Sequence, residues 1–177
     1  MSDDELQSAE ELDSHYGASG PVMAARQWLT LILAEDDYEG AWKLTDPVLR
    51  LARAQAWIYN NQDFPDVASE DRDELAAALA QRPSAHPLWA DFAHTESQQM
   101  NEAWAAYSLD RLGAASRPRL LDVDYEIVIF TPADEPVLIT EPTLVEGLVF
   151  VMHFTEDGWL VAAPGDRLPV PGWPPEF

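Results

Sequence analysis

An acid/base site in this chain would have to be assembled from four histidines and a few acids placed in apolar surroundings. His153 lies inside the apolar run Leu148 to Phe154, where an imidazole needs a polar partner. Asp91 and His94 stand three residues apart in a helical stretch, close enough to interact. Asp124 and Glu126 alternate with Tyr125, Ile127 and Ile129, which should turn both acids away from the buried face. By residue type each could move a proton, but a solvated face or a satisfied core produces the same residues. His15, His86, His94 and His153 form no HxxxH or HxH pair, and no acidic loop has calcium spacing, so no metal is expected. With no cysteine there is no thiol nucleophile, disulfide or Cys-type zinc site. The chain has no Gly-x-Ser-x-Gly elbow, no GxxxxGK[ST] loop and no GxGxxG turn. No cofactor is expected, and the reading leans away from an enzyme.

The elements that would position these residues can be read from periodicity. Residues 1–19 form an acidic leader, closed by the breaker Gly17-Ala18-Ser19-Gly20. A first helix is predicted from Pro21 to about Ala34, with Trp28, Leu31 and Ile32 on one face and Leu29 and Leu33 widening it. Glu35, Asp36 and Asp37 oppose the dipole at its C-terminal end, and Asp36 or Asp37 can cap a short helix from Tyr38 to Leu44. Thr45-Asp46-Pro47 starts a third helix, Val48 to Asn60. Ser69 is expected to open a capping box for a helix over Glu70 to Gln81. A longer helix follows from about Pro87 to Leu109. Beyond Gly113 the period changes to two. A strand is predicted through Leu121, Val123, Tyr125, Ile127 and Ile129, then a turn at Pro132 to Pro136 and a short edge strand from Val137 to Thr140. A central strand over Leu144 to Thr155 returns as Trp159 to Ala163 through Glu156-Asp157-Gly158. The expected fold is α+β, a single domain over 20–165. It is mainly helical from 20 to 112, and those helices pack on an antiparallel meander sheet from 113 to 165. Residues 166–177 are a Pro-rich tail expected to be extended.

One stretch has a likeness. Trp28 to Pro47 reads as an apolar helix, an acidic break and a short helix containing Ala41-Trp42-Lys43-Leu44-Thr45-Asp46-Pro47. This resembles the opening of nuclear-transport-factor-2-like (NTF2-like) domains, the superfamily of ketosteroid isomerase and the SnoaL-like cyclases. The sheet after residue 118, with its Asp-Gly hairpin, is similar to what that fold supplies. The likeness covers about 20–47 and 118–165, and no catalytic motif of the family aligns. The mainly helical stretch from 48 to 112 departs from the family, which often has a hairpin and one helix there. The resemblance implies a cone enclosing an apolar pocket. Trp28, Ile32, Trp42 and Trp57 would line it from the helices, and Tyr125, Phe150, Met152, His153 and Trp159 from the sheet. The same aromatics equally suit a filled core.

Thirty-two acids against ten bases give a net charge of −22, and Lys43 is the one lysine. Such a chain repels phosphate backbones and anionic membranes, so neither nucleic acid nor membrane is an expected partner. Scattered acids also suit general solubility or high-salt habits. Nothing spans the roughly 20 apolar residues of a membrane helix, and the acidic leader lacks a signal peptide's basic region, so a cytoplasmic location is expected. The leading functional reading is a non-catalytic NTF2-like protein that acts as a homodimer and binds a protein partner, a basic one being the expectation its acidity raises. The alternatives are a small apolar ligand or isomerase-like chemistry in the pocket, and an antitoxin, immunity or nucleic-acid-mimicking role for the acidity. In the tail, Trp173 and Phe177 are candidates for contact with a partner or with the domain itself.

Overall fold

The computed structural model describes residues 20–82, 84–114, 119–132 and 147–177. The expected leader, residues 133–136 of the expected turn and the edge strand from Val137 to Thr140 lie outside the described residues.

Helix α1, Pro21–Leu33, begins where Pro21 presets the first turn and buries Ala25, Trp28, Leu29 and Ile32. It ends at the acids. Asp36 takes a left-handed backbone (φ 51°), and the Asp37 N–H donates back to the Leu31 carbonyl at 2.8 Å. The Asp37 side chain then caps α2, Tyr38–Lys43, accepting from the Gly40 N–H at 2.8 Å. A Cβ at Gly40 would fall on that carboxylate, so any larger residue there would displace the cap. Helix α3, Pro47–Asn60, is capped by Asp46. The one-turn α4, Pro65–Ala68, precedes α5, Arg72–Leu79. Asp71, not the expected Ser69, caps α5, because its carboxylate reaches both the Asp73 and Glu74 N–H groups at 3.0 Å. Helix α6 runs Trp89–Trp104, and a 3₁₀ turn at Leu109–Arg111 leads into the sheet.

Among the described residues five antiparallel strands follow: β1 Leu112–Ala114, β2 Arg119–Asp122, β3 Tyr125–Pro132, β4 Leu148–Thr155 and β5 Gly158–Ala163. Strands β3, β4 and β5 are adjacent in that order, while β1 and β2 both pair with β3, at Phe130–Pro132 and Tyr125–Ile127. Helices on one face of an antiparallel sheet make this an α+β fold, as the sequence led us to expect.

The expected single strand through Leu121 to Ile129 is wrong in one respect. The chain turns at Asp122–Asp124, where Val123 is 85 % exposed and donates its N–H to the Asp122 carboxylate. That turn resets the phase. Beyond it, Glu126, Val128 and Phe130 are buried, whereas Tyr125, Ile127 and Ile129 are half-buried on the other face. Glu126 therefore points inward, opposite to its expected direction.

On the free side of β5 the backbone of 44–46 adds a short parallel rung. Val161 N–H donates to Leu44 O, and Asp46 N–H donates to Val161 O, both at 2.9 Å. The tail does not run extended. Val170 and Glu176 exchange backbone hydrogen bonds at 2.9 and 3.0 Å, so the chain reverses between them. The reversal lies against the helices. Gly172 N–H reaches Gln55, Trp173 Nε1 donates to Asp73 at 2.8 Å, and the Arg72 guanidinium sits 4.9 Å above the Trp173 ring. Among the described residues no helix is long and apolar enough to cross a membrane.

Candidate functional site

The nine residues expected to line a pocket divide between two places. Trp28, Ile32, Trp42, Trp57, Phe150 and Met152 are at most 6 % exposed and belong to one packed cluster, with Trp159 at its rim. Rings meet rings there. Trp28 stands edge-on to Phe150 at 5.8 Å and to Trp104 at 5.6 Å. Phe92 lies 5.3–6.2 Å from Trp42, Trp89, Trp57 and Tyr38. The indole N–H groups are satisfied inside the fold, Trp28 by Thr45 Oγ1 and Trp42 by the Gln81 carbonyl. This is core packing, with side chains where a ligand would sit.

Tyr125 and His153 are on the other face of the sheet, paired across β3 and β4 and stacked at 4.3 Å with their planes 6° apart. His153 has the polar partner its apolar strand required. Its Nδ1 lies 2.7 Å from Asp46 Oδ2, and the other Asp46 oxygen accepts from the Val48 N–H at 2.8 Å. Asp46 is 3 % exposed. Burial, then the nearby carboxylates of Asp46, Asp124 and Asp122, push the Tyr125 hydroxyl above its ordinary range. Arg50 is also buried nearby. Burial and then Arg82 lower its pKa, while Asp46 and Asp157 oppose that shift. A carboxylate that holds an imidazole can orient it for proton transfer. Here the same carboxylate caps α3 and holds it to β4, which is a joint between layers.

The other histidine pairing does not form. Asp91 and His94 share no hydrogen bond; Asp91 lines a cleft with Phe64, and His94 lines another with Asp36 and Asn101. Among the described residues no three His, Asp or Glu side chains gather as a metal site would require.

The helical layer holds one further buried charge. Glu96 is 3 % exposed and accepts from Arg53 Nη1 at 3.3 Å. Burial raises its pKa above the usual 4.5, and the Arg53 charge and hydrogen bond offset only part of that. A carboxyl with a raised folded pKa binds its proton more tightly folded than unfolded. Stability is therefore lost as pH climbs from about 4.5 through the folded value. The Glu96→Gln variant lacks this loss. Its melting temperature relative to the native chain should move upward between pH 4.5 and pH 7 in paired thermal scans; a constant difference would contradict the assignment.

The surface feature that stands out runs from the end of α3 to α5. Asn61 turns the chain, its side chain donating to the Trp57 carbonyl at 2.7 Å and its carbonyl accepting from Phe64 N–H at 3.0 Å. Pro65 starts α4 at once, and buried Val67 anchors it. Phe64 is thereby held 61 % exposed. Beside it is a cleft of about 210 Å³ with Trp57, Val67 and Leu88 as apolar wall and Asp66 and Asp91 at the rim. Asp63, Asp66, Glu70, Asp71, Asp73 and Glu74 are all exposed within the same stretch. Its one base, Arg72, lies over Trp173, and among the described residues none of these six acids has an ion pair. Asn60 to Pro65 shows neither helical nor strand periodicity in the sequence. An aromatic residue set between acids immediately before a proline was the available signal.

The chain matches no family profile, no curated protein and no solved structure.

Proposed function

We propose that this is a non-catalytic binding protein that takes a basic segment of a partner protein on the acidic edge formed by the end of α3, α4 and α5. The observation that carries the reading is the run from Asp63 to Glu74, six exposed acids against one base, with Phe64 exposed among them. Uncompensated like charge destabilises the free chain and steers an oppositely charged partner, so its concentration beside an apolar anchor suits recognition. Interfaces draw most of their affinity from a few aromatic anchors seated in pockets, and Phe64 with the Trp57–Leu88 cleft supplies both parts. The ring-filled interior supports a working surface over a working pocket. Two such edges would repel each other, so a homodimer would have to use another face. The helix, acidic break and short helix at 21–43, packed on an antiparallel sheet with an Asp-Gly hairpin, support an NTF2-like ancestry.

The test uses a fluorescent peptide of arginines and lysines around one leucine, with its acidic counterpart as control. Anisotropy should show saturable binding of the basic peptide that weakens as salt rises past the Debye regime. The double change Phe64→Ala and Asp66→Asn should weaken it on the order of tenfold or more. Absence of binding at low salt, or affinity indifferent to both substitutions, would overturn the reading.

A further inference from the structure

A second cleft, separate from the acidic edge, brings two arginines together. It measures about 520 Å³ and lies between α3 and the chain that follows β5. Leu49, Pro164, Pro169 and Phe177 form its apolar wall, and Arg53 and Arg167 face it with Asp166. Two of the chain's ten bases therefore meet in one cleft of a protein with net charge −22.

Neither guanidinium is fully engaged. Arg53 gives Nη1 to Glu96 and lies 5.3 Å over the Phe177 ring, while its buried Nε–H has no hydrogen-bond acceptor. Arg167 is exposed and forms no ion pair among the described residues. A guanidinium presents a planar fork of donors that matches a carboxylate, and the exposed Arg167 offers one at the cleft. Two proline rings and an aromatic ring give stiff apolar walls, the setting in which a few polar groups orient a small ligand. The surrounding negative field penalises a ligand more heavily as its charge grows, so it favours monoanions over polyphosphates and nucleic acid.

We infer that this cleft is a binding site for a small organic monocarboxylate with an apolar or aromatic body, its carboxylate on Arg167 and Arg53 and its body against Leu49, the prolines and Phe177. Phe177 already places an aromatic ring against Arg53, so part of the recognition surface is formed before ligand arrives.

Phenylacetate is a suitable probe, with 2-phenylethanol as its neutral analogue and inorganic phosphate as an anion without an apolar body. In amide-resolved NMR titrations of the full chain, phenylacetate should shift Leu49, Arg53, Gly165 and Arg167 saturably, with a Kd on the order of 1 mM. The Arg167→Gln variant, changed at an exposed position, should keep the native spectrum and bind about tenfold or more weakly. The alcohol and phosphate should give no saturable shift at these amides. The inference fails if phenylacetate does not saturate, or if Arg167→Gln binds equally well. Equal binding of the alcohol would leave only an apolar crevice, and equal binding of phosphate only a general anion site; either result overturns it.

Discussion

Phe92→Ala is expected to remove about 4 kcal/mol of stability, a fall of roughly 8–16 °C in melting temperature for a domain of this length. Phe92 is fully buried on α6, and its ring touches Tyr38 and Trp42 of α2, Trp57 of α3, and Trp89 of its own helix. Truncation deletes four aromatic contacts, each worth about 0.5–1.5 kcal/mol beyond burial. It also leaves a cavity that rigid rings on three helices cannot close. Phe92→Leu retains most of the volume and should cost roughly half as much. Urea unfolding of both variants checks this, and a loss below about 1.5 kcal/mol for the alanine variant would show that the cluster repacks.

Asp46→Ala should cost about 3 kcal/mol, more than a surface acid can. Loss of the α3 cap accounts for about 1 kcal/mol. The remainder comes from His153, which loses its 2.7 Å partner, and from buried Arg50, which loses a stabilising negative charge. Asp46→Asn keeps a capping oxygen and removes the charge, so it should fall between the alanine variant and the native chain. In a double-mutant cycle of Asp46→Asn with His153→Gln, a coupling of at least about 0.5 kcal/mol is expected. Additive losses would mean that the imidazole and the carboxylate do not stabilise each other.

The helical half was legible because its signals are local. Pro21, the acids at 35–37 and Asp46-Pro47 punctuate an apolar period of 3.6, and the helices begin within a residue of where those marks fall. The error at Ser69 has the same local origin. Ser69 and Asp71 both suit a cap, and the choice depends on where α4 releases the chain. The sheet was harder. Apolar residues occupy both faces of β3, so period two established a strand without identifying the face that meets the helices. Two acids around Val123 contained a turn that looked like continued alternation. The Asp46–His153 contact joins residues 107 apart, and no spacing rule reaches that far. The candidate pocket misled for a physical reason: large aromatics are what both a cavity wall and a filled core require, and only packing distances separate them.

The rung that residues 44–46 lay against Val161 also governs how this chain meets copies of itself. A meander ends in an outer strand whose unpaired amides invite a strand from another molecule. Here both backbone groups of Val161 are occupied from within, by Leu44 and Asp46, and the Asp46 carboxylate ties that cover to His153. An intruding strand would have to displace the cover before it could pair at Val161. Substitutions that loosen Asp46 should therefore hasten fibrillar self-assembly out of proportion to their effect on melting, because they unlatch a guarded edge as well as weaken a fold.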